Sequence, residues 1–201
     1  DLLYRDGSGL QRLPKGTASQ VLAINSGATA PEWVNPSVGG AKSFHQIDRT
    51  TFFATATADT WVQILDPITM TPAGTDSKMA LTFRSMLGVS SQSPGVHIKF
   101  TREVGGGSAI DLDGTMTKRQ SNNVKSLWGS GEEVYPNSNT YVGMPVNVMY
   151  VDQPNTTSQV VYKAWVFNGH SGSTIHLGAV YSDSNNNEYP AVDTRMTLME
   201  L

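Results

Sequence analysis

Val96-His97-Ile98-Lys99-Phe100-Thr101 alternates strictly between apolar and polar side chains. Successive side chains on a strand point to opposite faces. The pattern therefore predicts a half-buried β-strand, with Val96, Ile98 and Phe100 turned inward and His97, Lys99 and Thr101 in solvent. Similar runs lie on both sides. Trp61-Val62-Gln63-Ile64-Leu65 is β-rich and stops at Asp66-Pro67. Residues 78–86 place Met79, Leu81 and Phe83 on one face and Thr82 and Arg84 on the other. Further strands are expected over residues 141–151, 159–167, 174–181 and 194–201.

Turn clusters separate these runs: Pro72-Ala73-Gly74-Thr75-Asp76, Ser93-Pro94-Gly95, Gly105-Gly106-Gly107, Asn168-Gly169-His170-Ser171-Gly172 and the stretch 182–187. No stretch carries sustained helical periodicity with caps. Roughly seven to nine strands at regular spacing argue for an all-β fold, an antiparallel β-sandwich of jelly-roll type. The least regular part, residues 115–128, reads as a long loop at one end of the sandwich or a short helix. Residues 194–201 carry apolar side chains on both faces. Such a strand is expected inside the sheet or at a subunit interface, since a free terminus frays.

Composition narrows the function. Of 201 residues 38% are hydrophobic and only 15% charged, a balance that suits a turn-rich β protein and not a disordered chain. The net charge of −3 provides no basic field for nucleic acid or an anionic membrane surface. Cysteine is absent, which excludes disulfides and cysteine-type zinc sites. No apolar run reaches the roughly 18 residues that would span a bilayer, so no membrane insertion is expected. No signal-peptide pattern is visible, but the chain opens on Asp1 without a methionine, so little follows from that.

The chain divides near Gly39-Gly40, into an N-terminal attachment or stalk segment (residues 1–40) and a β-sandwich head (residues 41–201). Within the first segment turn signals recur every few residues: Asp6-Gly7-Ser8-Gly9, Pro14-Lys15-Gly16, Asn25-Ser26-Gly27 and Pro31. Between them lie apolar runs too short to build a core of their own. Leu2, Leu3, Tyr4, Leu13, Val21, Leu22, Ile24 and Trp33 are therefore expected to be buried against other copies of the segment or a partner protein.

This segment resembles a module of tail-fibre and related fibrous proteins of bacteriophages. The resemblance covers roughly the first 35 residues and rests on ordered steps. The first is the Asp1-Leu2-Leu3-Tyr4 start, followed by Leu13-Pro14-Lys15-Gly16. Gly16-Thr17-Ala18-Ser19-Gln20-Val21-Leu22 comes next, and Ala30-Pro31-Glu32-Trp33 closes the module. It implies a homotrimeric virion protein whose N-terminal segment joins another virion protein. Beyond Ala41 the Trp61 strand, the aromatic strand around Trp165 and the ending Thr197-Leu198-Met199-Glu200-Leu201 look like trimeric jelly-roll heads of phage fibre and decoration proteins. They also look like the tumour-necrosis-factor and complement-C1q type of sandwich. The similarity there is architectural only.

Candidate chemistry is sparse. His45, His97, His170 and His176 stand at no metal-ligand spacing, and His97 and His176 read as solvent-facing strand positions. Asp111-Leu112-Asp113-Gly114 opens like a calcium loop, but the twelfth position is Asn122 where glutamate is needed. Residues 182–188 are rich in oxygen ligands but read as a solvated hairpin tip. Glu132-Glu133 are neighbours, which on a strand point to opposite faces and cannot act as a carboxylate pair. Gly105-Gly106-Gly107 lacks the Lys-Ser/Thr of a phosphate loop. A non-enzymatic chain without cofactor or metal is expected. Trp128, Tyr135 and Tyr141 are candidate receptor contacts, aromatic side chains among Gly, Ser and Asn that suit a host glycan or protein. The alternative for Trp128 is a plug in the end of the sandwich.

The expected function is thus that of a virion-surface fibre or spike, displaying its head for host attachment. Capsid decoration is the alternative on the same architecture. A glycan-depolymerising tailspike and a C1q-like lectin are the rivals from other classes.

Overall fold

Short β-branched and aromatic runs broken by Gly, Pro, Asn and Asp dictate many short strands, and the computed structural model is built of them. It describes residues 1–35, 41–51, 53–90, 95–112, 126–129, 143–169, 171–179 and 192–201, and every helix or strand element among them is a strand. The chain forms two compact units, Asp1–Gly40 and Ala41–Leu201.

The first unit holds two hairpins. In one, β1 (Leu2–Asp6) pairs with β2 (Gly9–Leu13) across Gly7-Ser8. The Ser8 amide donates to Asp6 Oδ1 at 2.8 Å, and Gly9 has φ +120°, a region that L side chains rarely enter. In the other, β3 (Val21–Ile24) pairs with β4 (Pro31–Val34).

The second unit is an antiparallel sandwich of two six-stranded sheets. Its strands are β5 (Ser43–Arg49), β6 (Phe53–Thr55), β7 (Trp61–Gln63), β8 (Ile68–Met70), β9 (Met79–Val89) and β10 (Val96–Val104). They continue with β11 (Ile110–Leu112), β12 (Trp128–Gly129), β13 (Met144–Asp152), β14 (Val160–Asn168), β15 (Ile175–Leu177) and β16 (Thr194–Glu200). One sheet runs β11-β10-β14-β7, with β12 also on β10 and β8 also on β14. The other runs β5-β16-β9-β15-β6, with β13 on β9. The strands outnumber those expected because β6, β8 and β11 are three residues each and β12 two, too short to show alternation, and because β5 has no clean period. As expected, β16 is internal, flanked by β5 and β9.

The core lies between the sheets. Phe83, Leu81 and Leu87 from β9 meet Ile98 and Phe100 from β10, Val166 from β14, and Met196 and Leu198 from β16. All are at most 1% exposed, so the inward half of the alternation in residues 96–101 and 78–86 is as read from sequence. The outward half of residues 96–101 is not. Lys99 is 7% and Thr101 5% exposed, and His97 is half-buried. Neighbouring strands cover them. The Lys99 ammonium lies 4.5 Å from the Trp61 ring centroid and 2.6 Å from Asp111 Oδ1. Trp165 Nε1 donates to Thr101 Oγ1 at 2.9 Å. His176 is likewise half-buried instead of solvent-facing.

Two buried polar groups fasten the sandwich. Arg102 on β10 reaches across the core to Asp152 on β13, with Nη1 2.8 Å from both carboxylate oxygens. Tyr162 on β14 donates its hydroxyl to Asp152 Oδ2 at 2.7 Å. Glu200, 3% exposed, accepts from the Ala73 amide at 2.7 Å, Ser77 Oγ at 2.6 Å and Ser43 Oγ at 3.2 Å. This ties the last strand to the loop after β8 and to β5.

Candidate functional site

In the first unit the motif residues serve local geometry. Asp1 Oδ1 accepts the Lys15 amide at 2.9 Å, and Asp1 Oδ2 accepts Arg12 Nε at 2.8 Å, closing the first hairpin onto the chain that leaves it. Thr17 and Gln20 cap each other: the Thr17 amide donates to Gln20 Oε1 at 2.8 Å, and the Gln20 amide returns to the Thr17 carbonyl at 3.3 Å. Asn25 Oδ1 takes the Thr29 amide at 2.9 Å, holding the loop of the second hairpin. Trp33 Nε1 donates to the Pro14 carbonyl at 2.6 Å. A Cβ on Gly16 would sit 2.8 Å from Trp33 Cδ2, so the indole rests where only glycine leaves room. The Leu-Pro-x-Gly and Pro-x-Trp steps are thus two halves of one contact.

The apolar residues of the motif, with Leu10 and Ile24 beside them, are left largely exposed. None of residues 1–35 is buried. Leu3 is 66%, Leu10 72%, Ile24 64%, Leu22 47%, Val21 46% and Leu2 38% exposed. Tyr4, Leu13 and Trp33 are intermediate. Leu2 faces Leu13 across the first hairpin, and Leu22 faces Trp33 across the second, so each hairpin carries an apolar pair on one side. Leu10, which sequence reasoning did not single out, is the most exposed of the large apolar side chains among the described residues of this unit. Its position beside a tight hairpin turn is the signal that marks it.

In the sandwich the outer face of the β5-β16-β9-β13 sheet carries an apolar strip that sequence reasoning also missed. Phe44, Met199, Ala80 and Val151 align across the four strands, one register step from Met149. Met149 is 74%, Phe44 59% and Val151 50% exposed. The signal was available: β13 reads Val146, Val148 and Tyr150 on one side and Met149 and Val151 on the other, apolar on both faces. The next parallel row holds Gln46, Thr197 and Thr82 beside Met149, and the row beyond it is polar, Asp48, Arg195, Arg84 and Asn147, with Arg195 ion-paired to Asp48. That arginine holds the Asp48 carboxyl below its ordinary pKa against the opposing effect of desolvation, with Gln46 helping.

The opposite sheet presents aromatic side chains outward. His97, Phe167 and Trp61 form one cross-strand row, and Lys99, Trp165 and Gln63 the next parallel one. Burial pushes the His97 imidazole below its ordinary pKa, and its Nδ1 lies 3.1 Å from Ser126 Oγ.

Of the candidate receptor contacts, Trp128 has its backbone opposite Ile98 on the edge of this sheet. Tyr135 and Tyr141 lie outside the described residues, as do His170, Glu132, Glu133, Asp113, Asn122 and the stretch 182–188. His45 is exposed on β5. Asp111 is committed to Lys99. Among the described residues no three His, Asp or Glu side chains gather closely enough to hold a metal ion. A cleft of about 280 Å³ lies beside Ile47, Asp48, Arg49, Gln63 and Asp66. Two of its polar groups already have partners: Arg49 donates to the Ile64 carbonyl at 2.6 Å, and Gln63 to the Leu65 carbonyl at 2.7 Å.

No protein-family description and no curated protein matches the chain. Solved structures do match at low identity. A chain of the infectious bursal disease virus Gx strain structure is 9% identical, with TM-score 0.40, covering 94% of this chain and 44% of that one. A chain of the Gt strain structure of the same virus is 11% identical, with TM-score 0.37, covering 90% and 42%. The VP2 subviral particle of that virus is 10% identical, with TM-score 0.39, covering 94% and 49%. The present chain spans less than half the length of each. Likeness at this level is too distant to carry function from those chains to this one.

Proposed function

We propose that this chain is a non-enzymatic structural subunit of a virus particle, of bacteriophage fibre or spike type, that works as a homotrimer. The N-terminal unit anchors it to another virion protein, and the sandwich is displayed to a host surface. The observation that carries this reading is the state of residues 1–35. Their polar motif residues are spent on turns and caps, no residue is buried, and Leu3, Leu10 and Ile24 stand more than half exposed. A unit built this way gains its burial only from another surface. The resemblance of Asp1 to Val34 to phage fibre modules gives that surface its identity: copies of the same segment and the virion protein that holds them. The strip of Phe44, Met149 and Val151 gives the head a matching surface for its own copies. Association then stabilises each chain by mass action.

The test is mass in solution by light scattering on the full chain. The expected value is three times the 21.7 kDa chain mass. Leu3→Ser with Leu10→Ser and Ile24→Ser should shift the population toward monomer at micromolar concentration. A wild-type chain that stays monomeric at that concentration refutes the trimer. Labelling of intact particles decides the rest: label on the tail supports the fibre, label spread over the capsid supports decoration, and no label removes the virion assignment.

A further inference from the structure

We infer that the outer face of the β10-β14-β7 sheet is a binding platform for a neutral saccharide, with Trp61, Phe167 and Trp165 as stacking surfaces and Gln63 and Asp111 as polar contacts at their edges. An antiparallel sheet with one face on a core ordinarily turns polar residues to water on the other. Here two of the four tryptophans stand on that second face, on neighbouring strands, and each is half-exposed. Their inward neighbours Ile64, Ala164 and Val166 fill the core, so the outward direction of both rings follows from the alternation. Strands lie about 4.8 Å apart and alternate residues about 6.8 Å along. The row His97-Phe167-Trp61 and the row containing Trp165 therefore cover an area of about two linked pyranose rings. The ring centroids of Trp61 and Phe167 are 5.4 Å apart, and those of Phe167 and His97 5.9 Å.

Three features make this a built surface. First, the rings are fixed before any ligand arrives: Trp165 by its bond to Thr101, and Trp61 by the Lys99 ammonium, itself held by Asp111. Fixed rings lose little entropy on binding. Second, the face is charge-compensated. Lys99 is neutralised by Asp111 and Lys163 by Glu103, which among the described residues leaves no free lysine or arginine on this face to favour an anionic ligand. Third, polar capacity remains at the rim. Asp111 is 51% exposed in its side chain, and Gln63 uses its amide nitrogen on Leu65 and keeps Oε1 as an acceptor. Flat apolar rings beside hydrogen-bonding groups, without net charge, complement a pyranose, which has an apolar C–H face and a rim of hydroxyls.

The inference rests on the display reading for its purpose, but the binding chemistry is tested apart from assembly. Intact full-length chain is titrated with cellohexaose, maltohexaose and N-acetylchitohexaose, with a heparin hexasaccharide as the anionic probe. Tryptophan emission and calorimetry are the readouts. At least one neutral hexaose should bind with a Kd of about 1 mM or tighter and shift the emission to the blue. Trp61→Ala should weaken that binding at least about tenfold, and Trp61→Phe, which keeps a ring packed against Phe167, by less. The second variant keeps the test decisive if the first does not fold. Absence of binding to all three neutral probes, binding of heparin alone, or full affinity in both variants overturns the inference. Mass is measured on the same samples. A trimer that binds no neutral probe sinks the platform and spares the assembly reading, and a monomer that binds does the reverse.

Discussion

Removing the Asp152 carboxylate should be the most damaging single change in the core of the sandwich. The side chain of Asp152 is 7% exposed and that of Arg102 15%, and Tyr162 is fully buried. Asp152→Ala leaves two groups stranded. A guanidinium deprived of its buried partner ordinarily costs 3–5 kcal/mol. The residual exposure of Arg102 puts it at the lower end, about 3 kcal/mol. The Tyr162 hydroxyl loses its acceptor where no water reaches it, which adds about 1 kcal/mol. In the wild type the phenol is pushed above its ordinary pKa, by burial first and then by its bond to Asp152. The total is about 4 kcal/mol, a large part of the stability of an ordinary domain.

The assay is urea unfolding followed by tryptophan emission, at one fixed protein concentration because the chain is proposed to associate. With a slope of about 2 kcal/mol per molar urea, the midpoint should fall by about 2 M. The partner experiment replaces the whole cluster. Arg102→Met, Asp152→Leu and Tyr162→Phe together remove every polar group at once and should return stability to within about 1 kcal/mol of wild type. A midpoint for Asp152→Ala within about 0.5 M of wild type would show that the pair is solvated, and the clamp between the sheets would fall with it.

Gly16→Ala should displace the Trp33 indole and break its bond to Pro14, costing about 1–3 kcal/mol in the N-terminal unit; an unchanged indole N–H resonance in NMR would contradict that packing. Glu200 carries an acid-sensitivity prediction. Burial raises its pKa, but the bonds from Ser77, Ala73 and Ser43 and the charge of Lys42 outweigh that, so the folded-state value lies below the ordinary one. A depressed carboxyl stabilises the fold above its unfolded pKa of about 4.3, and that stabilisation is lost as pH falls through the lower folded value. Glu200→Gln should therefore flatten the fall in melting temperature between pH 5 and pH 3; a variant as acid-labile as wild type argues against it. Phe44→Ser with Met149→Ser should lower the association constant of the full chain without moving its far-ultraviolet dichroism, and unchanged association would remove the strip from the interface.

Sequence pattern reached the inward side of the sandwich and stopped at its outward side, for one physical reason. Burial of Val96, Ile98 and Phe100 is set by the alternation of their own strand, which is local. Burial of Lys99 and Thr101 is set by Trp61, Trp165 and Asp111, which belong to other strands and come into place only through pairing. The edge strand β5 was missed on the same ground. Ser43-Phe44-His45-Gln46-Ile47-Asp48-Arg49 has no clean period, and it is a strand because Met199 and Met196 lie opposite Phe44 and Ile47 from the far end of the chain. The N-terminal unit was legible in the other direction. Its turns are made by residues close in sequence, so Asp6, Gln20 and Asn25 announce themselves. The stack of Trp33 on Gly16 did not, because nothing in either residue alone says that they meet.

The two outer faces of the sandwich differ in kind, and this difference ties assembly to display. One face carries Val151, Met149 and Met199 beside a single ring, Phe44, and its flexible thioethers suit close packing against protein. The other carries rings locked by hydrogen bonds and a cation, rigid and charge-compensated, which suit a small polyhydroxylated ligand. The faces of a sandwich point in opposite directions, so a copy seated on the first leaves the second open to solvent. In the proposed trimer, three copies arranged in this way would present three aromatic platforms outward. If each bound at about millimolar strength, linkage would raise the overall affinity for a polymeric surface by about 10²–10⁴ without any new contact. A weak platform on each chain would then be sufficient for firm attachment.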